Sequence, residues 1–212
     1  MDAGYQTAAR EAEDAFVERR SRFIGAICPV QTEEDALAFV AKRKKAHWDA
    51  THHVYAYVLR QGGIRRYSDD GEPQGTAGMP VLDVLLKEAL SDCVVVVTRY
   101  FGGILLGGGG LVRAYTQSAK DALDAAGISV VRRWVEVAVP CPYSFFERLK
   151  LELEAHGGVL GEVEYAADVT VHALLPEERA EAFSARLTEL AAGGVAAQVC
   201  GESFQAVPRT QV

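Results

Sequence analysis

The stretch Val94–Thr116, VVVVTRYFGGILLGGGGLVRAYT, decides how the rest of this chain is read. Four consecutive valines predict a strand buried on both faces. Arg99, Tyr100 and Phe101 follow, and then six glycines within nine positions: Gly102, Gly103, Gly107, Gly108, Gly109 and Gly110. Leu111, Tyr115, Ala119, Ala122 and Ala126 then recur at helical spacing, with Gly127 as the stop signal. Strand, glycine loop and helix in this order aim main-chain N–H groups at an anion.

Neither common phosphate signature fits. Four residues separate Gly103 from Gly108, but Gly109 and Gly110 stand where a P-loop has Lys and Ser or Thr, and no G-x-G-x-x-G can be placed. Arg113 falls in the first turn of the helix, where the dipole disfavours a cation. With Arg99 just before the loop, it would make sense on either side of a bound anion. The alternative is that the glycines only permit close packing and the arginines are solvated or paired.

Outward from this stretch the elements follow in order. Residues 1–14 read as a loose tail and Phe16 to Val30 as one strand, bent at Gly25. Thr32 with Asp35 forms a capping box for a helix with Leu37, Val40 and Ala41 inward. Lys42, Arg43, Lys44 and Lys45 suit the helix C-terminus as a solvated run. His53 to Leu59 is a strand, Gly62-Gly63 a turn, and Ile64 to Tyr67 a short partner strand. Ser68 to Gly78 is a long loop, and Pro80 opens a helix with Val81, Val84, Leu85 and Ala89 inward. From Trp134 the pattern changes to β-α-β-β-α-β, the ferredoxin-like order. The chain is therefore expected to be α+β, with a flexible tail (1–14), an N-terminal α+β sandwich (15–133) and a ferredoxin-like C-terminal domain (134–212).

Composition limits the function classes. With 49% hydrophobic and 24% charged residues the chain is ordinary for a soluble protein. No apolar run approaches the ~20 residues a membrane span needs. The acidic-polar start is no signal peptide, and Cys28, Cys93, Cys141 and Cys200 lie far apart, so a reduced, cytoplasmic location is expected. The net charge is −7, with 17 Lys+Arg against 17 Asp+Glu in residues 1–135 and 5 against 12 thereafter. The excess negative charge thus belongs wholly to the last third.

Two side-chain groups outside the glycine loop could carry chemistry. His47, Asp49, His52 and His53 cluster in sequence, and so do Asp69, Asp70 and Glu72. His47, His53, Asp69 and Asp70 are the candidate ligands of a divalent metal, in a hydrolase reading. The spacing argues against it: His52 and His53 are adjacent on a strand and point to opposite faces, and no H-E-x-x-H exists. No cofactor other than that metal is called for, and whether the chain is an enzyme at all stays open. Asp69 and Asp70 are instead expected beside the glycine loop, holding Arg99 and Arg113 until a ligand arrives. The open face of the C-terminal sheet would show Glu136, Glu162, Glu164, Asp168, Thr170, His172, Gln198 and Glu202. That face is wrong for RNA, which asks for aromatics and positive charge. A phosphate-bearing partner should meet Arg65, Arg66, Arg99 and Arg113 instead.

TRYFGGILLGGGGLVRAY, YSDDGEPQGTAGMPVL (Tyr67–Leu82) and AHWDATHHVYAYVL (Ala46–Leu59) together resemble the IMPACT/YigZ family over roughly Phe16–Ala126. The remainder resembles the C-terminal domain of its bacterial members. The resemblance implies an N-terminal fold shared with a small-subunit ribosomal protein, elongation factor G domain IV and the GHMP kinases. It also implies a C-terminal domain like a late domain of that factor. Eukaryotic members regulate translation through the amino-acid-starvation kinase pathway. The implied partner is RNA, the ribosome, a nucleotide or a translation factor, with no membrane and no reading of DNA sequence. A phosphotransferase at the glycine loop is the other enzymatic alternative, although GHMP kinases hold phosphate with loop serines that this loop lacks.

Overall fold

The structure, a computed structural model, describes residues 4–209. It has ten strands and five helices among the described residues, numbered in chain order: β1 (Tyr5–Ala8), β2 (Ala12–Glu18), β3 (Ser21–Pro29), α1 (Glu33–Ala46), β4 (His52–Leu59), β5 (Ile64–Ser68), α2 (Gly78–Lys87), β6 (Cys93–Tyr100), α3 (Gly108–Ala126), β7 (Ile128–Cys141), α4 (Tyr143–Ala155), β8 (Val159–Tyr165), β9 (Val169–Pro176), α5 (Glu177–Leu190) and β10 (Gln198–Pro208). They form two compact units, one of Tyr5–Val130 with the segment from Ala206, the other of Gly4 with Val131–Gln205.

The N-terminal unit is built on β6. Its sheet runs β2-β3-β6-β4-β5 with every neighbour antiparallel, and Val94, Val95, Val96 and Val97 are all fully buried. Alternation sends Val95 and Val97 toward α2 and α3, and Val94 and Val96 toward Ala36, Phe39 and Val40 of α1. Helices on both faces explain the unbroken apolar run. On α3 the expected stripe of Leu111, Tyr115, Ala119, Ala122 and Ala126 is buried throughout. On α1 the capping box forms in both directions, Thr32 accepting from the Asp35 N–H and Asp35 from the Thr32 N–H.

Four expectations are corrected here. Phe16 to Val30 is no single strand: β2 and β3 form a hairpin whose turn residues, Arg19 and Arg20, have φ of 45° and 65°. No bend falls at Gly25, which instead lies in strand and brings α3 close. The tail begins its structure early, because β1 is tied by the Ser91 N–H to the Gln6 carbonyl and by the Thr7 hydroxyl to the Asp92 carbonyl. On α1 the buried positions are Ala36, Phe39, Val40 and Arg43, while Leu37 and Ala41 stay exposed; Arg43 reaches the exposed Glu13 at 2.8 Å.

The C-terminal unit has the order β10-β7-β9-β8, with α4 and α5 filling the two crossovers. This is the ferredoxin-like arrangement. Val135, Val137 and Val139 of β7 and Val169, Val171 and Leu175 of β9 bury one face against Leu149 and Leu153 of α4 and Phe183 and Leu187 of α5.

Candidate functional site

Antiparallel register brings four loops of the N-terminal unit to one end of its sheet. β3 begins where β6 ends, Arg22 standing opposite Tyr100, and β4 begins there too, His52 opposite Arg99. β5 ends beside the start of β4, Ser68 opposite Tyr55. The β2–β3 turn, the segment 47–51, the loop 69–77 and the glycine loop 101–107 therefore share one rim.

Below the rim lies a buried polar cluster. The Arg99 guanidinium donates to Glu72 Oε1 at 2.6 Å and to the Ser21 hydroxyl at 3.3 Å, with both ionic side chains about 5% exposed. The Tyr115 hydroxyl donates to the same Glu72 oxygen at 2.7 Å. Burial, together with that carboxylate, pushes the Tyr115 hydroxyl far above its ordinary pKa, so it acts as a donor. His52 donates through Nδ1 to the Asp70 carbonyl at 2.8 Å and brings Nε2 to 3.8 Å from Glu72. Glu72 thus ties the loop 69–77 to β6 and α3, the two elements that flank the glycine loop, and Thr76 faces Gly108.

The aspartates serve elsewhere. Asp69 accepts from the N–H groups of Gly75, Ala77 and Gly78, capping α2 where Ala77 has no side chain to do so. Asp70 accepts from the His53 N–H at 2.6 Å and pairs with Lys44 at 3.1 Å. Burial alone would raise the Asp70 carboxyl, but the His53 N–H and Lys44 hold it below the usual value. Neither aspartate bonds to Arg99 or Arg113 among the described residues, and the orienting carboxylate is Glu72.

The histidines are held singly. Arg43 donates to His47 Nε2 at 3.1 Å, which leaves Nδ1–H to donate to the Tyr100 hydroxyl at 3.0 Å. The Tyr100 hydroxyl in turn donates a hydrogen bond to Asp49 Oδ1 at 3.2 Å. His53 donates from Nε2 to the His47 carbonyl. Burial first, and Arg43 after it, lowers the His47 pKa; burial also lowers that of His53. Both His47 nitrogens and His53 Nε2 are bonded to the protein, His53 Nδ1 stands 3.9 Å from Asp70, and no three His, Cys, Asp or Glu side chains converge in a metal-ligating group among the described residues.

The glycines set the shape of the rim. A Cβ on Gly102 would stand 2.1 Å from the Arg20 carbonyl group, so only glycine lets the hairpin turn lie against the glycine loop. Gly107 caps α3, and the first intrahelical bond runs from the Leu111 N–H to its carbonyl. The N–H groups of Gly108, Gly109 and Gly110 are left without helical partners. Arg113, one turn on, is exposed and borders a cleft of about 250 Å³ with Glu18, Arg19, Leu106, Gly110 and Gln117. Phe101 is 45% exposed, and Gly103 opens to solvent. Arg65 and Arg66 lie on edge strand β5 opposite Val58 and Tyr57, away from the rim.

Residues 19–123 match the Impact N-terminal domain, and residues 139–193 a domain of unknown function, DUF1949. IMPACT family member YvyE of Bacillus subtilis (strain 168) is 41% identical over 191 residues, 89% of this chain and 88% of that protein. The chain belongs to the IMPACT family. IMPACT family member YigZ of Escherichia coli (strain K12) is 35% identical over 180 residues, 84% and 88% of the two chains. Protein IMPACT of Mus musculus is 35% identical over 98 residues, 43% of this chain and 30% of that protein. A solved structure titled "Crystal structure of an hypothetical protein" matches with a TM-score of 0.59 and 31% identity, over 95% of this chain and 99% of that one. The Impact N-terminal match spans all four loops of the rim.

Sequence reasoning missed Arg19, Arg20, Ser21 and Arg22 as rim residues. The one signal was weak: Glu18 to Arg22 is an unbroken polar run between Phe16-Val17 and Phe23-Ile24, with no glycine, asparagine or proline to mark it as a turn.

Proposed function

We propose that this IMPACT family chain is a cytoplasmic, translation-associated binding and regulatory module. Its N-terminal unit takes a phosphate-bearing or acidic partner at the four-loop rim. The supporting observation is that Arg20 and Arg113 are exposed beside the glycine start of α3, and Arg22 on the α1 side of the same rim, with no ion pair among the described residues. Exposed guanidinium groups beside unpartnered helical N–H groups present a positive field to any polyanion. Arg113 and Gly108–Gly110 face the ligand in this reading. Tyr100, Phe101, Gly102, Gly103 and Gly107 shape the rim, and Arg99, Asp69 and Asp70 hold its loops. The role in translation that the resemblance implies for eukaryotic members makes ribosomal RNA the first partner to test. A metal-dependent hydrolase at His47, His53, Asp69 and Asp70 gains no support from side chains already bonded to the protein. A phosphotransferase gains none from a glycine loop without serine.

The test is sedimentation with ribosomes and direct binding of ribosomal RNA across a salt series. Removing Arg20, Arg22 and Arg113 together should lower affinity by about tenfold or more and reduce the slope of log affinity against log salt by roughly 0.7–0.9 per arginine. A chain that neither comigrates with ribosomes nor binds RNA at low salt, or a variant that binds as well as the parent, would refute the reading.

A further inference from the structure

The rim carries two exposed aromatic side chains: Trp48, for which no ring contact is found among the described residues, and Phe101, whose ring has the Arg99 guanidinium over it at 5.4 Å and is otherwise open. Trp48 is 83% exposed and Phe101 45% exposed, although both sit in segments fastened on either side. The flanks of Trp48 are occupied: His47 bonds to Tyr100 and Arg43, and Asp49 accepts from the Tyr100 hydroxyl. The Ala50 N–H donates to the His47 carbonyl and the Thr51 N–H to the Arg99 carbonyl. The Thr51 hydroxyl in turn accepts the Phe101 N–H at 3.1 Å, joining the two aromatic segments. An indole presented this way loses little freedom on binding, which favours a partner that covers it.

Charge decides which partner. Arg20 in the β2–β3 turn, Arg22 at the start of β3 and Lys45 near the end of α1 are exposed without ion pairs among the described residues. Most carboxylates nearby are committed inward or to neighbours: Glu72 to Arg99, Asp70 to Lys44, and Glu13 to Arg43. The exceptions are Asp49, which accepts the Tyr100 hydroxyl, and Glu18, which is exposed beside Arg19 at 4.0 Å. Flat exposed aromatics beside unpaired arginines are the chemistry of single strands, whose bases stack while their phosphates pair. A duplex or a plain polyanion would use the arginines and leave the rings idle.

We propose that Trp48 and Phe101 are a stacking platform for the bases of a single-stranded nucleic acid, whose phosphates meet Arg20, Arg22 and Arg113. This rests on the anion-binding reading of the rim and adds a base-specific contact to it.

The chain's own tryptophans make the test direct. Trp134 is 2% exposed and Trp48 83%, so ligand quenching of fluorescence reports Trp48. The probes are a uridine dodecamer, which can stack, and inorganic polyphosphate, which cannot. Dodecamer binding should quench Trp48, and Trp48→Ala and Phe101→Ala should each lose about tenfold in dodecamer affinity while binding polyphosphate unchanged. Trp48→Tyr, which keeps a ring, should retain most of the affinity, and Arg20→Ala with Arg22→Ala should weaken both probes. Full dodecamer affinity in Trp48→Ala, or dodecamer binding to the parent without quenching of Trp48, would overturn the platform and leave the anion site standing. Loss of a protein contact rather than dodecamer binding in that variant would also overturn it, assigning Trp48 to a protein interface. If the parent binds neither probe, the platform and the anion reading fall together.

Discussion

Arg99 holds a full positive charge at 4% exposure, and Glu72 is the carboxylate that lets it remain there. Removing one partner of a buried ion pair costs about 3–5 kcal/mol, because the other charge is left uncompensated away from water. Glu72→Ala should therefore lose about that much stability in urea unfolding, with Tyr115 also losing its acceptor. Replacing both ions, as Glu72→Leu with Arg99→Met, should recover at least half of the loss. A loss below about 1 kcal/mol in the single variant would mean that water reaches the guanidinium and that Arg99 is not a buried charge. From sequence, a cation beside a glycine loop reads the same whether its counter-charge is external or supplied by the protein. The pairing of positions 72 and 99 depends on how a nine-residue loop returns to the sheet, and no local pattern encodes that return.

At the scale of elements, what was legible is what short-range physics dictates. The valine run, the α3 stripe and the Thr32–Asp35 capping box each rest on periodicity or on bonds three residues apart, and each took the expected form. The β2–β3 hairpin was hidden because its turn uses two arginines at positive φ, where glycine or asparagine would have announced it. Gly25 shows the same limit. Read as a bend, it proves to be the place where α3 approaches β3, since a Cβ there would stand 2.2 Å from the Ser118 carbonyl oxygen. A main-chain atom cannot swing aside as a side chain can. Gly25→Ala should thus push helix from strand and cost on the order of 1–3 kcal/mol in thermal unfolding. Adding Ser118→Ala should not rescue it, because the carbonyl stays in place. Wild-type stability in the single variant would show that the helix shifts freely and that the contact is not tight.

The whole molecule divides by charge as well as by contact, and the division falls at Val130/Val131 rather than at Trp134. Trp134 marks the change of pattern because it is the first large buried residue of β7 within the C-terminal unit, but the strand is already running. Arg132 lies over the Trp134 ring at 4.9 Å and pairs with Glu178, while Arg133 pairs with Glu177 and Glu202. A chain beginning at Trp134 loses the cation over its indole and the partners of three carboxylates, in a unit whose excess charge is already negative. The core assembled from β7, β9, α4 and α5 is present in either case. A domain of this size is marginal, so small differences at its edge decide how much of it is folded. The fragment 131–205 should give a dispersed amide spectrum and blue-shifted emission from its single tryptophan, whereas 134–205 should melt several degrees lower. Raising the salt should narrow the gap, since part of it is self-repulsion among carboxylates. Equal melting of the two fragments would reduce Arg132 and Arg133 to surface decoration, and a collapsed spectrum from 131–205 would mean that the ferredoxin-like unit cannot stand without the rest of the chain.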